Sequence, residues 1–161
     1  MSNANTTTFR DQDTTELLLL YVNLFYHYTG QMTDIDSLEY GIDVSSQTSI
    51  CFSQIIDGDS KLALSSWLPE TLVLLMGSWM LAEPCEAIDN EILLVVSESF
   101  KVILENACDQ AGMDYARITN SFQRCPVPPS TRQSKSETSI AVKMNTRDTS
   151  FKLLFQLEQQ T

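Results

Sequence analysis

The sequence predicts an α+β domain: a mostly antiparallel sheet with helices packed on one face. Three observations lead there. Long stretches carry apolar residues at helical spacing, shorter ones alternate apolar and polar residues, and tight turns separate neighbouring alternating runs. Strands joined by tight turns must be antiparallel. Helices laid over one face then bury the apolar side of such a sheet. With 161 residues, 43% apolar and 19% charged, the chain has the balance of a globular protein with one core. Residues 1–12 are expected to form a flexible polar segment, and residues 13–161 a single domain.

Asp13 followed by Glu16 resembles a helix N-terminal capping pair. A first helix is expected over 14–29, stopped by Gly30, with Leu17, Leu20, Tyr21, Leu24 and Tyr28 on its buried side. His27, the only histidine, reads as a packed or surface residue. One histidine builds no His-based triad and no His-rich metal site within a chain. Strands are expected over 37–44, 48–56 and 61–67, the last two joined by a hairpin at Asp57, Gly58 and Asp59. Pro69 opens a second helix, where its missing N–H costs nothing. Leu72, Val73, Leu75, Met76, Trp79 and Met80 of that helix are expected in the core.

A long helix is expected over 89–109. Ile92, Val96, Phe100, Ile103 and Ala107 recur at helical spacing, with Leu93 and Leu104 widening the stripe. Its other face carries Glu91, Glu98 and Glu105, about two turns apart, with Lys101 among them. Gly112 ends it. An extended run over 115–123 leads into a proline-rich, then polar loop. Two strands close the chain, one alternating at Ile140, Val142 and Met144, the other at Phe151, Leu153, Phe155 and Leu157.

Composition excludes several classes of function. A net charge of −11 gives no general attraction to nucleic acid or anionic membranes. The polar N-terminus has no apolar signal region, and the run from Leu17 to Leu20 is too short to span a bilayer, so a cytoplasmic protein is expected. Cys51, Cys85, Cys108 and Cys125 lack metal-ligand spacing and read as free thiols. No cofactor and no metal are expected. No phosphate loop, HExxH or GxSxG occurs, and Asp57-Gly58-Asp59 lacks the remaining ligands of a calcium loop.

Four stretches carry a family resemblance. They are IIDGDSKLALSSWLPETLVLLMGSWML (55–81), DNEILLVVSESFKVILENA (89–107), FQRCPVPPS (122–130) and SIAVKMNTRDTSFKLLFQLE (139–158). In order and punctuation they resemble the CheC/CheX/FliY chemotaxis phosphatases, CheX most of all. The likeness spans about 30 to 158. It implies removal of a phosphoryl group from an aspartate of the response regulator CheY. It also implies a homodimer, as in CheX. The family helix carries Asp or Ser, then Glu four residues on, then Asn three further on. The Glu is implied to hold the regulator's lysine, and the Asn to orient the attacking water. Here these positions are Leu94, Glu98 and Lys101, so only the Glu is kept; Asn106 and Ala107 match a later part of the helix.

The departure changes the chemistry. A carboxamide both donates and accepts, whereas a protonated lysine has three donors and no acceptor and cannot take a proton from water. The expectation is a CheX-like interaction module with little or no phosphatase activity, binding a response-regulator receiver domain or itself. Glu98 is the candidate catalytic position, and Leu94, Lys101, Glu91 and Glu105 the candidate binding residues. Two alternatives stay open: an active aspartyl-phosphate phosphatase with an altered residue set, and a structural or oligomerising domain that shares only the fold. The plainest reading of Glu98 is a solvated residue paired with Lys101 at i, i+3, worth about 0.2–0.5 kcal/mol.

Overall fold

The structure, a computed structural model, describes residues 11–41, 49–58, 61–125 and 137–160. Its elements are α1 (Asp11–Thr33), β1 (Ser37–Tyr40), β2 (Ser49–Asp57), β3 (Lys61–Pro69), α2 (Glu70–Leu81), α3 (Asn90–Gln110), β4 (Arg117–Cys125), β5 (Glu137–Asn145) and β6 (Ser150–Gln160). The strands form one sheet in the order β1-β5-β6-β3-β2-β4, every neighbouring pair antiparallel. Alternation fixes one face: Ile50, Phe52 and Ile56, Leu62, Leu64 and Leu68, and Phe151, Leu153, Phe155 and Leu157 join the buried cluster under the helices. The expected α+β architecture is therefore the observed one. Of the segment expected to be flexible, 1–12, residues 1–10 lie outside the described residues, while Asp11 and Gln12 open helix α1 instead; the proline-rich loop over 126–136 also lies outside them.

Helix α1 departs from expectation. It runs through Gly30 to Thr33, and Asp34 takes the left-handed conformation (φ 57°) with its N–H on the Gly30 carbonyl. One glycine costs a helix only about 1 kcal/mol, less than the packing of the extra turn returns. Met32 and Thr33 are buried in that turn. The buried stripe is also rotated. Leu17 and Tyr21 are buried as expected, but Leu18, Val22 and Phe25 complete the stripe, Leu20 and Leu24 are half-buried, and Tyr28 is exposed. A row of four consecutive leucines hides the helical phase, which Phe25 then sets.

The first strand is shorter than expected, 37–40, and residues 42–48 lie outside the described ones. It pairs with β5 at the sheet edge, where Asn145 Nδ2 donates to Glu39 Oε2 at 2.8 Å and Lys143 pairs with Glu39 at 3.3 Å. The hairpin of β2 and β3 closes as expected, Asp57 opposite Lys61. Helix α2 follows β3 without a loop, on Pro69 as its N-cap. It buries Leu72, Val73 and Met76, but Leu75 and Trp79, expected in the core, are exposed. The reason is the close approach of α3: a Cβ at Gly77 would stand 2.7 Å from Ile92 Cγ2, so the glycine side of α2 faces inward and the Trp79 side faces out.

Phe100 of α3 lies between Phe25 of α1 and Phe52 of β2, with centroid distances of 5.0 Å and 4.9 Å and near-parallel rings. Phe155 meets Phe25 edge-on at 5.4 Å. Offset stacking of this kind adds to area burial. Phe100→Ala should therefore destabilise the fold by about 3–5 kcal/mol in urea unfolding, and Phe100→Leu by less. A loss under 1 kcal/mol for Phe100→Ala would contradict the stack as the tie between helices and sheet.

Candidate functional site

Helix α3 is built as the sequence predicts. Asp89 caps it, accepting the Ile92 N–H at 2.9 Å, and Gly112 (φ 68°) follows its end. Ile92, Leu93, Val96, Phe100, Ile103, Leu104 and Ala107 are all buried. On the outer side Glu91, Leu94, Glu98 and Val102 are exposed, and Lys101 and Glu105 half-buried. Leu94 is 56% and Val102 47% exposed, which is high for aliphatic side chains. Leu94, Glu98 and Val102 form a line at i, i+4 and i+8, with steps of about 6 Å. Glu91 and Glu105 flank it. The five sequence-predicted site residues thus share one outward helix face.

Glu98 is not paired with Lys101. Its hydrogen bond is to Asn120 of β4, whose Nδ2 donates to Glu98 Oε1 at 3.4 Å. Among the described residues Lys101 forms no ion pair. The amide wins because β4 packs beneath the flank of α3 and holds it in place, whereas an exposed lysine must give up rotamer freedom for a screened attraction. Both ends of β4 are tied. Arg117 meets Asp57 at 3.4 Å, Arg124 meets Glu70 at 3.3 Å and the Ile88 carbonyl at 3.5 Å, and the Ala116 N–H reaches the Asp57 carbonyl.

Behind this pair lies a feature that the sequence reading passed over. A carboxylate only accepts, so Asn120 must present its nitrogen to Glu98. Its Oδ1 then points inward, buried and without a partner. Directly opposite on β2 stands Gln54, 0% exposed, with Nε2 and Oε1 both unpartnered. A buried amide left so costs about 1–3 kcal/mol. The signal was present: the core-facing alternation Ile50, Phe52, Gln54, Ile56 is interrupted once, and the alternation Ile118, Asn120, Phe122 is interrupted at the position paired with it. Only the register of β2 against β4 joins the two interruptions.

No protein-family model matches the chain, and no curated protein matches it in sequence. Solved structures do match. A CheC-like chemotactic protein from Shewanella oneidensis superposes with a TM-score of 0.63 at 14% identity, covering 94% of this chain and 100% of that one. The chemotaxis protein CheX from Vibrio vulnificus gives 0.63 at 12% identity, covering 89% and 99%. This chain has the CheX-like fold. A chain of the CheX–CheY–BeF3–Mg2+ complex from Borrelia burgdorferi also matches, with a TM-score of 0.61 at 9% identity over 90% and 98%.

Among the described residues, no three His, Cys, Asp or Glu side chains gather as metal ligands, and no helix is long and apolar enough to cross a membrane. His27 is exposed, its ring 5.3 Å from that of Tyr26. Ser97 and Ser99, buried on α3, donate to the carbonyls of Leu94 and Val96. Tyr21 is buried against Ser66, and burial pushes its hydroxyl pKa up. Cys51 and Cys108 are buried and Cys85 half-buried, none of the three in a disulfide; the Cys125 side chain lies outside the described residues.

Burial, with the negative charges of Asp109 and Glu105, pushes the Cys108 thiol up to about 12. It is no nucleophile at neutral pH. Alkylation at pH 8, mapped by peptide mass, should label Cys85 before Cys51 and Cys108, and Cys108 only once denaturant opens the chain. The unfolded thiol ionises near 9 and the folded one near 12, so this contribution to stability is whole below pH 9 and lost as pH rises toward 12. Cys108→Ala should flatten that alkaline loss; an unchanged profile would contradict it.

Proposed function

We propose that the chain is a chemotaxis-type signalling module whose α3 face docks the receiver domain of a response regulator, with little or no phosphatase activity. The observation that carries this reading is the exposed line Leu94, Glu98, Val102, with Glu98 held by Asn120 rather than spent on Lys101. Exposed aliphatic groups supply burial on docking, and a carboxylate between them supplies a partner for a cationic group such as a lysine. A complex of CheX with CheY among the solved relatives of this fold supports the same kind of partner.

The residues near Glu98 support the reading of weak catalysis. Lys101 can hold a phosphate oxygen but accepts nothing from water. The nearby carboxamide, Asn120, has its accepting oxygen buried, so it does not present an acceptor to a water beside Glu98. The reading includes a cytoplasmic location, and self-association as a homodimer remains part of the proposal, tested by molecular mass in dilute solution.

The test uses the receiver domain from the same source with BeF3− on its phosphorylatable aspartate. The unmodified chain should bind it, and Glu98→Ala and Leu94→Ala should each weaken binding about tenfold, or ~1.4 kcal/mol. The aspartyl phosphate should decay no faster with the chain than without it. Lys101→Asn combined with Leu94→Asp tests whether restoring the family residues restores hydrolysis. Rapid dephosphorylation by the unmodified chain would overturn the non-catalytic part, and absence of binding would overturn the docking part.

A further inference from the structure

We propose that Lys101 is the specificity-determining residue of the α3 face: its ammonium meets the phosphoryl group of the receiver and makes docking conditional on phosphorylation. The inference deepens the docking reading and rests on it for the identity of the partner. Lys101 is the sole cation of α3, set among Glu91, Glu98, Glu105 and Asp109. Other basic side chains of this acidic chain meet carboxylates. Lys61 and Arg117 reach Asp57 at 3.6 Å and 3.4 Å, Arg124 reaches Glu70 at 3.3 Å, and Lys143 reaches Glu39 at 3.3 Å. Lys101 has a glutamate about one turn away on either side, Glu98 before it and Glu105 after it. Among the described residues it forms an ion pair with neither. Each has a reason. Glu98 takes the Asn120 amide at 3.4 Å. Glu105 lies C-terminal to the lysine, the less favourable order for an i, i+4 pair because it runs against the helix dipole.

The ammonium therefore keeps its three donors for an anion outside the chain. The side chain is half-buried, so part of its stem is already covered and less rotamer freedom is lost when the head is engaged. Phosphorylation gives the receiver negative charge and acceptor oxygens. A face of glutamates alone repels that charge and favours the unphosphorylated form. Direct contact with one ammonium reverses the preference, because the remaining glutamates act at a distance or are occupied. Glu98 is met by the partner's cation on docking. Glu91 precedes Lys101 by about 15 Å along the helix axis, beyond the screening length of about 10 Å at 0.1 M salt. One residue thus sets the sign of the preference.

The test is calorimetric titration of the receiver domain from the same source, with and without BeF3−, which stands in for the phosphoryl group. The unmodified chain should bind the treated form about tenfold more tightly than the untreated one, the size of a hydrogen bond to a charged group. Lys101→Met should erase or reverse that ratio, and Lys101→Arg should restore it. Lys101→Gln, with the helix propensity of lysine and no charge, should behave as Lys101→Met does. Leu94→Ala should weaken binding of both forms and keep the ratio, so the ratio separates recognition of the anion from docking in general. Raising salt from about 0.1 M to about 1 M should shrink the ratio for the unmodified chain and Lys101→Arg but not for Lys101→Met. A full ratio in Lys101→Met, or a ratio near one in an unmodified chain that still binds, would overturn the role of Lys101 and leave the docking reading standing. Failure of the unmodified chain to bind either form would overturn the docking reading and the phosphoryl contact together.

Discussion

The stack of Phe25, Phe100 and Phe52 is the contact on which the remaining structure depends. It joins one helix to another and that helix to the sheet through a single ring. Phe100 lies two positions from Glu98 on α3, and Phe52 two positions from Gln54 on β2. The height and roll of α3 over β2 and β4 are therefore set by the aromatic contact. That setting brings a helix carboxylate within reach of a strand amide. Core packing and site geometry are here one constraint, because α3 cannot roll to bring Glu98 elsewhere without breaking the stack.

A second constraint opposes the first. The most direct way to strengthen the core over β2 would be an aliphatic residue at position 54. The chain instead keeps an amide with both polar atoms unpaired, next to a strand position that also carries an amide. Local rules of burial are broken at one place, and that place touches the only face of α3 that exposes large aliphatic groups. Departures of this kind gather at functional sites because elsewhere nothing offsets their cost.

Much of the fold was legible in the sequence for identifiable reasons. Helix α3 has a cap, a clean stripe and a glycine after its end, and its core residues are the expected ones. The terminal hairpin alternates except at Leu154, which is apolar and buried between Leu153 and Phe155. Helix α1 was harder, since four consecutive leucines fit any phase, and Gly30 looked like a stop although the packing of Met32 carries the helix past it. Trp79 and Leu75 misled because hydropathy marks what can be buried, and only the close approach at Gly77 decides which side of α2 is. At the site, the helix spacing alone grouped Glu91, Leu94, Glu98, Lys101 and Glu105. The pairing of Glu98 was not legible. Asn120 is 22 residues away, and its place beneath α3 depends on a strand register that no local pattern encodes.

Lys101 gains meaning from that pairing. Had lysine and Glu98 closed on each other, the face would be internally neutralised and a cationic partner would have to break an ion pair to bind. With Asn120 as the partner, the carboxylate donates nothing and gives up little of its charge, because an amide shares only a hydrogen with it. Lys101 remains available to an anion on the same face. The surface thus offers a carboxylate and an ammonium side by side, flanked by exposed Leu94 and Val102, on a chain of net charge −11. That combination suits a partner that itself places a cation beside an anion on an apolar surface. On the proposed docking reading, the Glu98 carboxylate meets that cation and the Lys101 ammonium that anion, while Leu94 and Val102 cover the apolar surface around them.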